Sequence, residues 1–449
     1  MNLFSMLEER GEAGHPIRVG LIGAGKFATM FLAQSRRMAG VHVMGIADLA
    51  MARTRSSLWR AAWPQSQYEA VSPKIARRDG TTWLTEDADE LISVDGIDVI
   101  VEATGSPVAG VRHALSCIRH GRHIVMVNVE ADALVGPALA KQATQAGVVY
   151  SLAYGDQPAL ICDLVDWARA TGFDVVAAGK GTKYLPAYHG STPQTVWEHY
   201  GFSEKQIQEG DFNPRMFNSF LDGTKSAIEM AAVANATGLA PPPDGLGFPP
   251  AGVDDLANVC RPRQNGGVLH DTGVVEVVSC LGRDGRPVVR DIRMGVYVTI
   301  ETASDYVRKC FAEYGLATDD SGTYAAMYKP FHLIGLELGI SLASVVLRGE
   351  PTGRPNAWQG DVVAVAKRDL AVGESLDGEG GYTVWGKLVP AGTSLNEGAL
   401  PIGLAERARL VAPVPRGTLL RWQDVSLDDE SAALILRRAM ESEHRQHLA

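Results

Sequence analysis

Between Ile17 and about Gly155, short continuous apolar runs alternate with longer stretches of helical spacing. IRVGLIG, VHVMGIAD, IDVIVEATG, RHIVMVNV and VVYSLAYG carry no polar alternation, so they read as strands buried on both faces. The stretch opening at Lys26, the one running to about Asp79, VAGVRHALSCIRHG and GPALAKQATQAG read as helices. Strand–helix alternation of this kind predicts a parallel sheet covered on both sides, a doubly wound α/β domain over 16–155.

Beyond Asp156 the pattern changes. ICDLVDWARATG predicts a helix, FDVVAAGKG a strand and FNSFLDGTKSAIEMAAVANATG one long helix. LAPPPDGLGFPPAG is a loop by its prolines and glycines, and GGVLHDTGVVEVVS and IRMGVYVTIE are strands. This predicts a mixed α+β domain over 156–350 for substrate and oligomer contacts. The most apolar stretch, FHLIGLELGISLASVVLRG, contains His332 and Glu337 and closes on Gly349, which suits a buried helix better than a membrane span. GEPTGRPNAWQGD marks a boundary. DVVAVAKRDLAVGESL and ARLVAPVPRGTLLRWQDVSLDD then share a strand, a basic residue, a glycine turn and a polar cap, predicting a small β domain over 358–427. A helical tail is expected over 428–449.

The chain has 449 residues, more than one ordinary core holds, which agrees with several domains. A charged fraction of 21% and a net charge of -10 argue for a soluble protein and against a nucleic-acid or anionic-membrane surface. The five cysteines (Cys117, Cys162, Cys260, Cys280, Cys310) never fall in C-x-x-C spacing, which predicts reduced thiols without a disulfide frame. MNLFSMLEERGEAGHP has no basic region followed by an apolar core, so a cytoplasmic protein acting on a small molecule is expected.

Gly23-Ala24-Gly25-Lys26-Phe27-Ala28 fits G-x-G-x-x-G/A where the first strand meets the first helix. Gly23 permits the tight turn, Gly25 lets backbone approach a pyrophosphate, and small Ala28 lets helix and strand pack closely. Lys26 and Phe27 open the helix whose amides would face the phosphates. Asp48 ends the second strand, where an acid binds the adenosine ribose and repels a further phosphate; this favours NAD over NADP. Arg53 and Arg55 pull the other way. Ala103, Thr104 and Gly105 are expected along the cofactor, or else they form an ordinary strand-to-helix turn with Thr104 or Ser106 as a cap.

Oxidation of an alcohol needs a base, and the reverse direction an acid in the same place. In the predicted long helix, Asp222, Lys225 and Glu229 fall at i, i+3 and i+7, on one face, as catalytic candidates or as a surface pair. Lys180 and Lys183 form a second cationic cluster, either of which could be the catalytic lysine; with Thr182, Lys180 could hold a carboxylate or phosphate. Asn128 could orient the carboxamide or a substrate hydroxyl, and Glu130 could grip hydroxyls or begin the next helix. Asp156 could cap a helix or touch substrate. His113, His120 and His123 lack ligand spacing and read as core and surface residues. No metal site is predicted, while a divalent cation on Glu130, Asp222 or Glu229 stays open.

VGLIGAGKFATMF, IDVIVEATG, HIVMVNVEAD, GDQP, AGKG and DGTKSAIEMAAVANATGL together resemble the homoserine-dehydrogenase-like oxidoreductases that carry a C-terminal SAF domain. The resemblance runs from residue 16 to about 427, and AKRDLAVGESL and PRGTLLRWQDV are similar to the β-clip SAF module of sialic acid synthases. That family includes enzymes resembling deoxyxylulose-phosphate reductoisomerases and apionate oxidoisomerases. It implies a Rossmann domain, an NAD(P) cofactor, a homo-oligomer, and hydride transfer on a sugar acid or sugar phosphate coupled to a skeletal shift. Homoserine dehydrogenases place a catalytic lysine after an asparagine in an A-N-K phrase; here Asn128 is followed by Val129. The alternatives are simple alcohol dehydrogenation, or a nucleotide-binding regulator without activity, which Val129 favours.

Overall fold

The computed structural model describes residues 2–209, 212–427 and 430–448. They form two compact units, one of residues 1–160 with 332–356 and one of 161–331 with 357–449.

The first unit contains the expected parallel sheet. Its strands are β1 (Ile17–Ile22), β2 (Val41–Ala47), β3 (Trp83–Thr85), β4 (Val99–Glu102), β5 (His123–Met126) and β6 (Tyr150–Leu152), in the order β3-β2-β1-β4-β5-β6. The chain runs outward from β1 to β3 and then returns to β4 on β1's other side. This leaves a topological switch point between the C-terminal ends of β1 and β4, the position where open α/β sheets bind ligands. Val19 and Leu21 of β1 pack with Phe31 and Leu32 of the helix Lys26–Ser35, all fully buried. Leu338, Leu342 and Val345 join the same core. The apolar segment that the sequence reading assigns to the second domain therefore returns to the first, because its i, i+4, i+7 stripe has its apolar partner there. It is built as a short α-helix, Gly339–Ala343, continued by one wider turn, Ser344–Arg348.

The helix Val129–Gln145 kinks at Val135, two residues before Pro137, and buries Asp132 completely. One Asp132 oxygen accepts the Tyr150 hydroxyl at 2.9 Å, and the other is buried without a hydrogen-bond partner. Burial pushes the carboxyl up from 3.8 to about 7, against the Tyr150 bond. A carboxyl raised in the folded state stabilises below its unfolded value, and that stability is lost as pH rises through 7. At about 1.4 kcal/mol per pH unit, the ionised form costs on the order of 4 kcal/mol. Asp132→Asn, which keeps an acceptor for Tyr150, is expected to raise the melting temperature by several degrees at pH 8.5 and by less than half as much at pH 5. Melting curves at the two pH values check this; equal shifts at both would refute it.

The second unit is built on a mixed sheet. Strands β7 (Asp174–Thr182), β8 (Val274–Ser279), β9 (Val296–Glu301) and β10 (Tyr324–Lys329) lie in the order β10-β9-β7-β8, with β7 parallel to β8 and antiparallel to β9. The helix Thr224–Thr237 is buried almost all round, with Ala227, Ile228, Met230, Ala231, Ala232, Val233 and Ala234 at 2% exposure or less. A helix without a polar face must be covered on several sides. It packs on β7 and β8 and also on an antiparallel hairpin, β11 (Gly360–Ala366) with β12 (Val384–Pro390). Asn235 secures the join, its Oδ1 accepting the amides of Gln359 (2.8 Å) and Gly360 (2.9 Å). The C-terminal helix Ala432–Leu448 buries Arg437 between Asp361 and Glu441, stacked over Trp358 at 4.6 Å. No helix among the described residues is long and apolar enough to cross a membrane, and all five cysteines are free thiols.

Candidate functional site

The glycine turn caps the switch point. Gly23 has φ +95°, and a Cβ there would lie 2.6 Å from the Ala103 carbonyl oxygen, so both conformation and contact demand glycine. Gly25 differs. Its φ of -77° suits any residue, and a Cβ there would meet nothing within 4 Å. The fold does not require glycine at 25, but a phosphate that must approach the backbone does. The helix Lys26–Ser35 begins here, its first internal bond running from Thr29 N–H to Gly25 C=O, and Ala28 is buried as close packing requires. These residues fit an adenine dinucleotide.

Asp48 is buried at the end of β2 and fastens the turn: its carboxylate accepts the amides of Ala24 (2.7 Å) and Ala50 (2.8 Å). Arg53, exposed, donates to both of its oxygens at 2.9 Å. Its negative charge is therefore matched, and the reason for expecting NAD rather than NADP is removed. The site suits either.

After β4, exposed Thr104 donates to Glu102 (2.6 Å), and Gly105 takes φ +71°. Glu102 also receives His113 Nδ1 at 3.0 Å, both side chains being buried, so His113 is a core brace as its lack of ligand spacing implied. Asn128 is spent on the fold. Its Oδ1 caps the following helix at Ala131 N–H (3.0 Å) and its Nδ2 donates to Ser106 C=O (2.8 Å). Glu130 is half-buried in the first turn of that helix, and buried Asp156 accepts Gln157 N–H at 2.9 Å.

In the second unit the predicted long helix is broken. Pro214–Leu221 ends at Asp222, Gly223 turns with φ +91°, and a new helix starts at Thr224. Asp222, Lys225 and Glu229 therefore do not share one helical face. Asp222, fully buried, accepts Thr224 N–H (2.9 Å) and pairs with Lys367 Nζ at 2.7 Å. Lys367 lies 145 residues away, and sequence reasoning missed it. Glu229 pairs with Lys180, both buried, and Lys180 lies within strand β7, as the predicted strand FDVVAAGKG implies. Lys225 is half-exposed in the first turn of the helix. Half-buried Lys183 donates to the His199 carbonyl and lies 5.5 Å from the Tyr200 ring centre; burial and the nearby Arg293 charge hold its ammonium below the ordinary value. Thr182 is buried at the end of β7, its carbonyl accepting Cys280 N–H. Asp222 and Glu229, two of the carboxylates suggested for a divalent cation, are each held by a lysine instead of joining a metal-binding cluster. Among the described residues no three His, Cys, Asp or Glu side chains form such a group.

A family model for the homoserine dehydrogenase NAD-binding domain matches residues 19–152, and one for the oxidoreductase DRL catalytic domain matches residues 155–338. No curated protein matches the chain. Three solved structures illustrate its structural relatives. A probable dehydrogenase from Thermotoga maritima is 13% identical with a TM-score of 0.36, over 74% of this chain and 90% of its own. The myo-inositol dehydrogenase of Lactobacillus casei, in complex with NAD(H) and myo-inositol, is 13% identical with a TM-score of 0.29, over 41% and 52%. The WlbA dehydrogenase of Bordetella pertussis, in complex with NADH and UDP-GlcNAcA, is 17% identical with a TM-score of 0.27, over 37% and 44%.

Proposed function

The chain is a homoserine-dehydrogenase-like NAD(P)-dependent oxidoreductase, and on that premise we propose that it oxidises or reduces a small polyhydroxylated substrate, a sugar acid or sugar phosphate, with a coupled skeletal shift. The observation that carries the redox half is the open face of Gly25 above the switch point, tied in place by Asp48. The dinucleotide supplies the hydride acceptor or donor when bound. The catalytic domain supplies amines. Lys183, its pKa lowered, is the group assigned to move the hydroxyl proton, since an amine nearer neutrality exchanges protons more readily. Lys225, half-exposed at the start of its helix, is assigned to the substrate's anionic group. Lys180 and Glu229 neutralise each other and are assigned to hold β7 against that helix rather than to react.

The test is turnover of NAD+ and NADP+ with a panel of sugar acids and sugar phosphates, the product's carbon connectivity being read by NMR. Lys183→Met is expected to lower kcat by about a hundredfold or more and to remove the amine's limb from the pH profile. Full turnover in both Lys183→Met and Lys225→Ala would end this assignment. An unrearranged product would leave simple dehydrogenation. Val129, standing where homoserine dehydrogenases carry lysine, favours the regulator reading, which tight dinucleotide binding without turnover on any panel member would support.

A further inference from the structure

Within the second unit a cavity of about 430 Å³ opens between the start of the helix Thr224–Thr237 and the β11–β12 hairpin, lined among others by His189, Ala227, Lys367, Trp385, Lys387 and Arg416. That volume falls in the range of small-molecule sites, roughly 300–1,000 Å³. Ala227 faces the cavity, while Glu229 pairs with Lys180 of the sheet. Two positions along a helix are about 200° apart, so cavity and ion pair lie on different sides of it.

The charges in the walls are unequally matched. Lys367 is fully engaged, donating to Asp222 (2.7 Å) and to the carbonyls of Ser191 and Gly381 (2.8 Å each). Lys387, half-buried, and Arg416, exposed, enter no ion pair among the described residues. Among the described residues the only lining carboxylate is Asp244, which is exposed. One wall is aromatic and fixed. His189 donates Nδ1–H to the Asp222 carbonyl (2.7 Å), accepts the Tyr184 hydroxyl at Nε2 (2.9 Å) and stacks on Trp385 at 3.8 Å. Burial lowers its pKa, which keeps the ring neutral and leaves the positive charge to the lysine and arginine.

We propose that this cavity is a binding site for a small organic anion, with Lys387 and Arg416 taking a phosphate or carboxylate and Trp385 covering the sugar-sized body. All the lining residues belong to the second unit, and the proposal does not depend on the redox reading.

The test titrates the full chain with D-ribose 5-phosphate, D-ribonate and uncharged D-ribose by calorimetry. One or both anions are expected to bind and ribose is not; preference between the two anions tells phosphate from carboxylate recognition. The double variant K387Q/R416Q should bind the anion about tenfold or more weakly, as the loss of charged hydrogen bonds implies. Its ligand-free melting temperature and its NAD(P)+ affinity should not change. The proposal is overturned if neither anion binds, if ribose binds equally well, or if the double variant binds like wild type. It is also overturned if Gly25→Val, rather than the double variant, removes anion binding, since the anion then sits in the glycine turn.

Discussion

Gly25→Val is expected to weaken NAD+ and NADP+ binding by about a hundredfold or more while the protein still folds. The backbone at 25 is at φ -77°, which valine adopts without strain, and its side chain would enter space that no atom of the protein fills. The cost to the fold is limited to a poorer residue at the helix N-cap, about 1 kcal/mol. The cost to the ligand is large, because the isopropyl group occupies the ground a pyrophosphate must cover. Gly23→Ala is the control with the opposite signature. Its methyl would be driven against the Ala103 carbonyl at 2.6 Å in a left-handed backbone, so it should lower the melting temperature as well as affinity. Calorimetric titration with both dinucleotides, beside melting curves, separates the two. Dinucleotide affinity within a few-fold of wild type in Gly25→Val would remove the glycine turn from the site.

Lys367→Met should destabilise the second unit by about 3–5 kcal/mol, the usual penalty for stranding one half of a buried ion pair. Asp222 is wholly buried, and without Lys367 its carboxylate would keep, among the described residues, the Thr224 amide alone. The effect should be strongly non-additive. Asp222→Asn combined with Lys367→Met leaves no orphaned charge and should recover much of the loss, whereas independent contributions would sum. Urea unfolding of the two single variants and the double variant measures the coupling. A Lys367→Met protein within about 1 kcal/mol of wild type would show that the pair is not the clamp its burial implies.

The dinucleotide domain was legible because its signals are local. Apolar runs such as IRVGLIG and IDVIVEATG could be buried only on both faces, so five of the six strands were legible, while β3, three residues long, is too short to set a period. In the second domain three strands were legible and β10 was not; its six residues, YAAMYK, are too few and too mixed to set a period. The long helix misled for a definite reason. FNSFLDGTKSAIEM keeps helical spacing across a glycine whose φ of +91° breaks it, and spacing alone does not record the sign of φ.

By itself the sequence determined five strands of the parallel sheet and the glycine turn, because periodicity, turn chemistry and helix starts are set by residues a few positions apart; the strand order that makes the switch point came from the structure. Only the tertiary structure decided which charges meet. It paired Lys180 with Glu229 across 49 residues and Lys367 with Asp222 across 145, and among the described residues it left Lys387 and Arg416 in no ion pair beside Trp385. A charge in the core is stable only beside its partner, and which partner reaches it is a property of how distant segments pack, which no local pattern encodes.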